Sequence, residues 1–132
     1  RKTMAGYHTN IEKETLENSY FRKVLFTGKY SQLVVMSLKP GEEIGNEIHE
    51  TVDQFFRIEQ GEAKVVLNNG EEEFIVKKDE VFIVPAGTWH NVINVGDKDL
   101  KLYTIYSPPN HPDGTVHQTK QEAEEYEKQH HH

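Results

Sequence analysis

The chain has 132 residues, 35% of them hydrophobic, a net charge of −7 and no cysteine. That is the usual size of one domain, large enough to hide roughly two thirds of its unfolded surface. The acidic balance speaks against nucleic acid and against anionic membrane surfaces, since both call for clustered Lys and Arg. A small anionic ligand stays open, because a local metal ion outweighs the global sign. Without cysteine there is no disulfide framework, no thiolate metal site and no thiol nucleophile. No apolar run approaches the ~18–20 residues that span a bilayer, and the first residues form no apolar leader. A soluble, cytoplasmic protein is expected.

In chain order, residues 1–19 are polar and weakly patterned and read as an arm. From Tyr20 to Tyr106 the chain becomes short β-type runs separated by turn signals. The runs are Phe21–Phe26, Ser31–Leu38, Gln54–Glu59, Ala63–Leu67, Glu73–Val76, Glu80–Val84, Trp89–Val95 and Leu100–Tyr106. Asn68-Asn69-Gly70 is a hairpin signal, because Asn and Gly accept positive φ. Glu80–Val84 reads as a buried run. Closely spaced strands with no helix between them predict an antiparallel sandwich or barrel rather than a βαβ fold. Residues 107–118 contain three prolines and are expected to form no regular structure. Thr119-Lys-Gln-Glu122 is a capping-box pattern and predicts a short helix over about 120–128. The expected division is an arm at 1–19, a β-domain at 20–106, and a Pro-rich segment with a short helix at 107–132. His130, His131 and His132 read as remnants of a purification tag and are left out of the chemistry.

Two blocks carry the chemistry. The first runs from Gly41 through Glu47, His49 and Gln54 to Gly61, and the second from Asp79 through Pro85, Gly87 and His90 to Asn94. Glu47 and His49 are two apart, so they point the same way on an extended segment. Gln54 has the wrong parity for an unbroken strand, but a bulge or bend at Glu50–Asp53 resets the register. His90 follows a Pro-x-Gly turn and opens a new strand. A carboxylate, two imidazoles and an amide oxygen suit a divalent transition metal and leave it a net positive charge.

The two blocks resemble the paired motifs of the cupin family. The first family motif is Gly, five residues, His-x-His, three or four residues, Glu, six residues, Gly; here Glu47-x-His49 and Gln54 keep its spacing. The second is Gly, five residues, Pro-x-Gly, two residues, His, three residues, Asn, matched by Asp79, Pro85, Gly87, His90 and Asn94. Glu47 stands in place of the first His, Gln54 in place of the Glu, and Asp79 in place of a turn glycine. The first two changes move the carboxylate from one ligand position to another at constant donor charge. Asp79 is read as a turn that need not adopt positive φ. The resemblance implies an all-β double-stranded β-helix (a jelly-roll barrel) with a short C-terminal helix. It covers about residues 20–106. It also implies a homodimer and a site holding Zn, Mn, Fe or Ni through Glu47, His49, Gln54 and His90. More narrowly, the chain resembles small single-domain cupins called mannose-6-phosphate isomerase-like.

Each of these residues has a plainer reading. Against metal ligation, which the spacing favours, His49 and His90 read as hydrogen-bonded histidines at a barrel mouth, Glu47 as a solvated carboxylate, and Gln54 as a polar neighbour that never touches an ion. His111 and His117 are expected on a surface loop; the alternative folds this segment over the barrel mouth and offers one as an acid or base. Phe55, Phe56, Trp89, Tyr103 and Tyr106 are expected in the core or lining a cavity. Two function classes remain: a metalloenzyme acting on a small polar molecule (isomerase, lyase or dioxygenase), and a non-catalytic module binding a small ligand or metal.

Overall fold

The computed structural model describes residues 5–130, so residues 1–4 of the expected arm and His131 and His132 lie outside the described residues. Among the described residues, nine strands form two sheets. They are β1 (Arg22–Thr27), β2 (Gln32–Leu38), β3 (Asp53–Gln60), β4 (Glu62–Leu67), β5 (Glu72–Lys77), β6 (Val81–Val84), β7 (His90–Asn94), β8 (Leu100–Ser107) and β9 (Val116–His117). The larger sheet runs β6-β3-β8-β2-β1-β9 and the smaller β5-β4-β7. All of these pairings are antiparallel. This is the expected double-stranded β-helix. Eight strands fall on the eight predicted runs, because alternation of apolar and polar residues marks which face is buried.

The core lies between the sheets. Val34, Met36 and Leu38 of β2, Phe56 and Ile58 of β3 and Leu100 and Leu102 of β8 face Ala63 and Val65 of β4 and Val92 of β7. Phe56 stacks on Phe82 at 4.4 Å between ring centroids, and Phe82 meets Phe74 edge-on at 5.9 Å, tying β5 to β6. Burying such a side chain contributes about 1.5–3 kcal/mol. The inward rows change character along the barrel. Leu38 stands opposite Leu100 at one end, whereas Gln32, Tyr106 and Gln54 line up across β2, β8 and β3 at the other. All three of these polar residues are buried.

Several expectations are corrected. A short strand, β9, forms where no regular structure was expected and pairs with β1. The prolines end at Pro112, so the donors of Val116 and His117 are intact and meet the open edge of β1. Glu80–Val84 is not buried throughout: Val81 and Ile83 are 50% and 60% exposed, because β6 is an edge strand with only Phe82 and Val84 facing inward. Asp79 does adopt positive φ, at 70°, which a short Asp side chain tolerates, and Arg57 donates to its Oδ1 at 3.0 Å. Trp89 is 40% exposed, not interior, and Phe55 and Tyr103 stand on the outer face opposite the buried Gln54 and Phe56 parity. Within the segment read as an arm, helix α1 (Ile11–Glu17) forms under an Asn10 cap that accepts from Lys13 N at 3.0 Å. At the other end α2 (Lys120–Gln129) begins as predicted: Thr119 Oγ1 accepts from Glu122 N, and Glu122 Oε1 from Gln118 N. Neither helix is long and apolar enough to cross a membrane.

Candidate metal centre

The site is built at the polar end of the barrel. Glu47 and His90 exchange both backbone hydrogen bonds, N to O, each at 2.9 Å. A pair bonded in this way presents its side chains on one face. The segment bearing Glu47 is held against β7 by further bonds, Ile44 N to Val92 O and Asn94 N to Glu42 O, both 2.9 Å. His49, two residues on, keeps the parity of Glu47, and its carbonyl accepts from Gly87 N at 2.8 Å. The Pro-x-Gly turn is thereby pinned to the first block; Gly87 takes φ +80°, which favours glycine. A turn at Glu50–Thr51 then resets the register as expected, and β3 brings Gln54 inward.

Glu47, His49 and His90 each bring a ligand atom to within 4.8 Å of the others. Glu47 Oε2 lies 3.5 Å from His49 Nε2 and 3.6 Å from His90 Nε2. Donors about 2.1 Å from a shared ion stand roughly 3.0–3.4 Å apart, so the Glu47 carboxylate lies within a few tenths of an ångström of that spacing from each imidazole. His90 is 1% exposed, and its Nδ1 donates to Thr88 O at 3.0 Å. That bond leaves Nε2 with the lone pair, the arrangement that orients metal-ligating histidines. Gln54 Nε2 donates to Thr104 Oγ1 at 3.0 Å, so Oε1 is the end left over.

Three atoms of the expected ligands are buried and without a hydrogen-bond partner: His49 Nε2, His90 Nε2 and Gln54 Oε1. Buried polar atoms normally find partners, so three orphans in one place call for a shared one. A cation satisfies all of them, and the donor set fits one. Charge agrees with geometry. Burial alone would raise the Glu47 carboxyl, but the His49 and His90 imidazoles beside it hold it well below the usual carboxylate range. Burial opposes a charge on His90, yet the nearby Glu47 carboxylate and the Thr88 carbonyl raise its pKa.

The site opens into a cleft of about 470 Å³ lined by Arg22, Glu47, His49, His111 and residues of α2. His111 and His117, expected on a surface loop, are drawn in. Gln32 explains why: its Oε1 accepts from Asn110 N and His111 N at 3.1 and 3.0 Å, and its Nε2 donates to His111 O at 2.7 Å. His111 thus caps the mouth, with Nε2 3.2 Å from Tyr106 Oη. Burial, with help from Arg22, pushes the His111 pKa down to about 3, so the ring is neutral. Burial likewise raises the Tyr106 hydroxyl. His117 is buried beside Arg22. The residues overlooked from sequence are Arg22, Gln32 and Thr104. Gln32 shares period-two parity with Val34, Met36 and Leu38, and a polar residue on an inward face is the signal that marked it.

Residues 34–106 match the Cupin domain family model. The chain is 52% identical over 118 residues to the uncharacterized protein YrkC of Bacillus subtilis, covering 86% of this chain and 63% of that protein. It therefore spans less than two thirds of that relative's length. It is 46% identical over 112 residues to the uncharacterized protein L612 of Acanthamoeba polyphaga mimivirus, covering 83% of this chain and 70% of that one. The crystal structure of BH2720 from Bacillus halodurans superposes with a TM-score of 0.88 at 47% identity, over 90% of this chain and 93% of its own.

Proposed function

Because the chain belongs to the cupin family, we propose that Glu47, His49, Gln54 and His90 hold one divalent transition metal and that the cleft above it takes a small polar organic molecule. The observation that carries this reading is the convergence of Glu47 with His49 and His90, whose Nε2 atoms are buried without hydrogen-bond partners, at the barrel end where Gln54 Oε1 is also left unpartnered. Four protein donors leave two positions on an octahedral ion. When bound, such an ion supplies Lewis acidity toward a carbonyl or a water molecule, which suits isomerase-, lyase- or dioxygenase-type chemistry.

The chain's own residues do the rest. Thr88 and Thr104 orient His90 and Gln54. Gln32 holds the Asn110–His111 segment over the mouth and limits water. The neutral His111 and the Tyr106 hydroxyl share one proton at 3.2 Å, at the edge of the space a ligand enters. The cleft falls within the ~300–1,000 Å³ usual for small-molecule sites. Zn, Mn, Fe and Ni all accept such donors. A cytoplasmic location and a homodimer belong to the same proposal. The exposed Val81 and Ile83 on edge strand β6, beside Phe55, offer a second copy an apolar face.

The test is metal analysis of protein purified without a nickel column, followed by turnover assays with sugar phosphates and oxygen consumption. About one metal per chain, lost on Glu47→Ala, is expected. Metal-dependent ligand binding without turnover moves the assignment to a binding module. A chain that retains no metal, and melts at the same temperature with and without chelator, contradicts the proposal.

A further inference from the structure

Arg22 is only 6% exposed, although it is a permanent cation. It shares the inward parity of Val24 on β1, opposite Met36 of β2 and His117 of β9. Its Nη1 donates to His117 Nδ1 at 3.4 Å, and its Cζ lies 5.3 Å from the Phe21 ring centre. Its Nε is buried and finds no acceptor. Among the described residues no carboxylate comes within ion-pair distance of it. The other buried arginine nitrogen without a hydrogen bond, Arg57 Nε, does have a charge partner, Glu59 Oε2 at 3.4 Å. A guanidinium buried without a counter-charge is strongly unfavourable, so it persists where something outside the chain completes it.

The location indicates what that is. Arg22 lines the same cleft as Glu47 and His49. Its charge reaches His111, which also lines the cleft, and Tyr106 and His117 beside it. Of the two lysines on the rim, Lys120 pairs with Glu124 at 3.7 Å.

Resting on the metal-centre reading above, we propose that Arg22 is an anion clamp. It binds one carboxylate of a small organic acid whose second oxygen donor reaches the Glu47–His49–His90 group. A planar guanidinium edge matches a carboxylate in two parallel hydrogen bonds. Inorganic phosphate carries no second donor on a carbon chain, so it separates a two-point acid from a bare anion. The substrate class narrows from small polar molecules to acids carrying two oxygen donors.

The experiment is calorimetric titration of the full chain. It is first saturated with Mn²⁺ or Zn²⁺, whichever it binds more tightly. Malonate, succinate and glutarate are the probes, and acetate and inorganic phosphate the references. At least one dicarboxylate is expected to bind the wild-type chain ten or more times more tightly than acetate does. Arg22→Met is expected to abolish that preference while binding the metal ion within about twofold of wild type. Arg22→Lys keeps the charge but loses the fork. It is expected to retain the fold, checked by melting, and to weaken the dicarboxylate severalfold even where the Met variant is unstable. Metal binding with no dicarboxylate preference, a preference that survives both substitutions, or tighter binding of phosphate overturns the clamp alone. A wild-type chain that binds neither ion overturns the metal centre and the clamp together.

Discussion

Two clefts of nearly equal size, about 470 and 490 Å³, open at opposite ends of β3, and they differ in what their walls leave undone. The cleft at the Gln60 end is lined by turn residues such as Gly61, Lys77, Lys78 and Asp97. Its polar groups are met: Gln60 donates to Asp99 O at 2.9 Å, and Glu80 Oε1 accepts from Lys77 N at 2.8 Å. Gly61 there takes φ +92°, and a Cβ would meet Asp99 O at 3.1 Å, so the turn is closed on itself. The cleft at the Gln54 end leaves His49 Nε2, Gln54 Oε1, His90 Nε2 and Arg22 Nε without hydrogen bonds. Volume does not distinguish a site from a surface depression; orphaned buried atoms do.

The largest expected effect breaks one end and spares the other. His90→Ala is expected to lower divalent-metal affinity by more than about a hundredfold, beyond what loss of a supporting residue costs. Lys78→Ala in the opposite cleft is expected to leave metal affinity unchanged and stability within about 0.5 kcal/mol. Metal titration followed by fluorescence or calorimetry reads the first, and thermal melting the second. Equal losses from both variants would erase the distinction between the ends.

Next in size is Thr104→Val. The hydroxyl that holds Gln54 Nε2 at 3.0 Å is removed at nearly constant shape. Free to rotate, Gln54 no longer presents Oε1, and metal affinity is expected to fall about tenfold. An affinity identical to wild type would mean that Gln54 is no ligand.

The smallest expected effect concerns acid. His111 has a pKa lowered from the ordinary 6.5 to about 3 in the fold, chiefly by burial. Its contribution to stability is whole above pH 6.5 and shrinks as the pH falls from there toward 3, since the unfolded chain takes up the proton and the folded one refuses it. His111→Gln keeps an acceptor for Tyr106 and removes the titration. Urea melts of the metal-free chain between pH 7 and 4 are expected to show a shallower loss in the variant. Parallel curves would mean that His111 is solvated.

Most of the strand plan was legible because each strand has one wet and one dry face. Phe56 and Ile58 alternate with Arg57 and need no partner knowledge to be placed. The Glu47, His49 and His90 grouping was legible too, through spacing. What was hidden depended on distant pairing. β9 exists because β1 has an open edge, and nothing in Val116-His117 itself announces it. Asp79 takes positive φ because the turn demands it, whichever residue fills the position. His111 is drawn inward by Gln32, 79 positions away in sequence, and no local pattern connects them. Arg22 looks like an ordinary strand-edge cation until β9 and α2 close over it.

The most direct measurement is an anomalous-scattering map from a crystal of untagged protein grown with Mn²⁺ or Zn²⁺. A single peak about 2.0–2.2 Å from His49 Nε2, His90 Nε2, a Glu47 oxygen and Gln54 Oε1 is the expected result. A saturated crystal with no peak there, or with its only peak in the cleft beside Gly61, would contradict it.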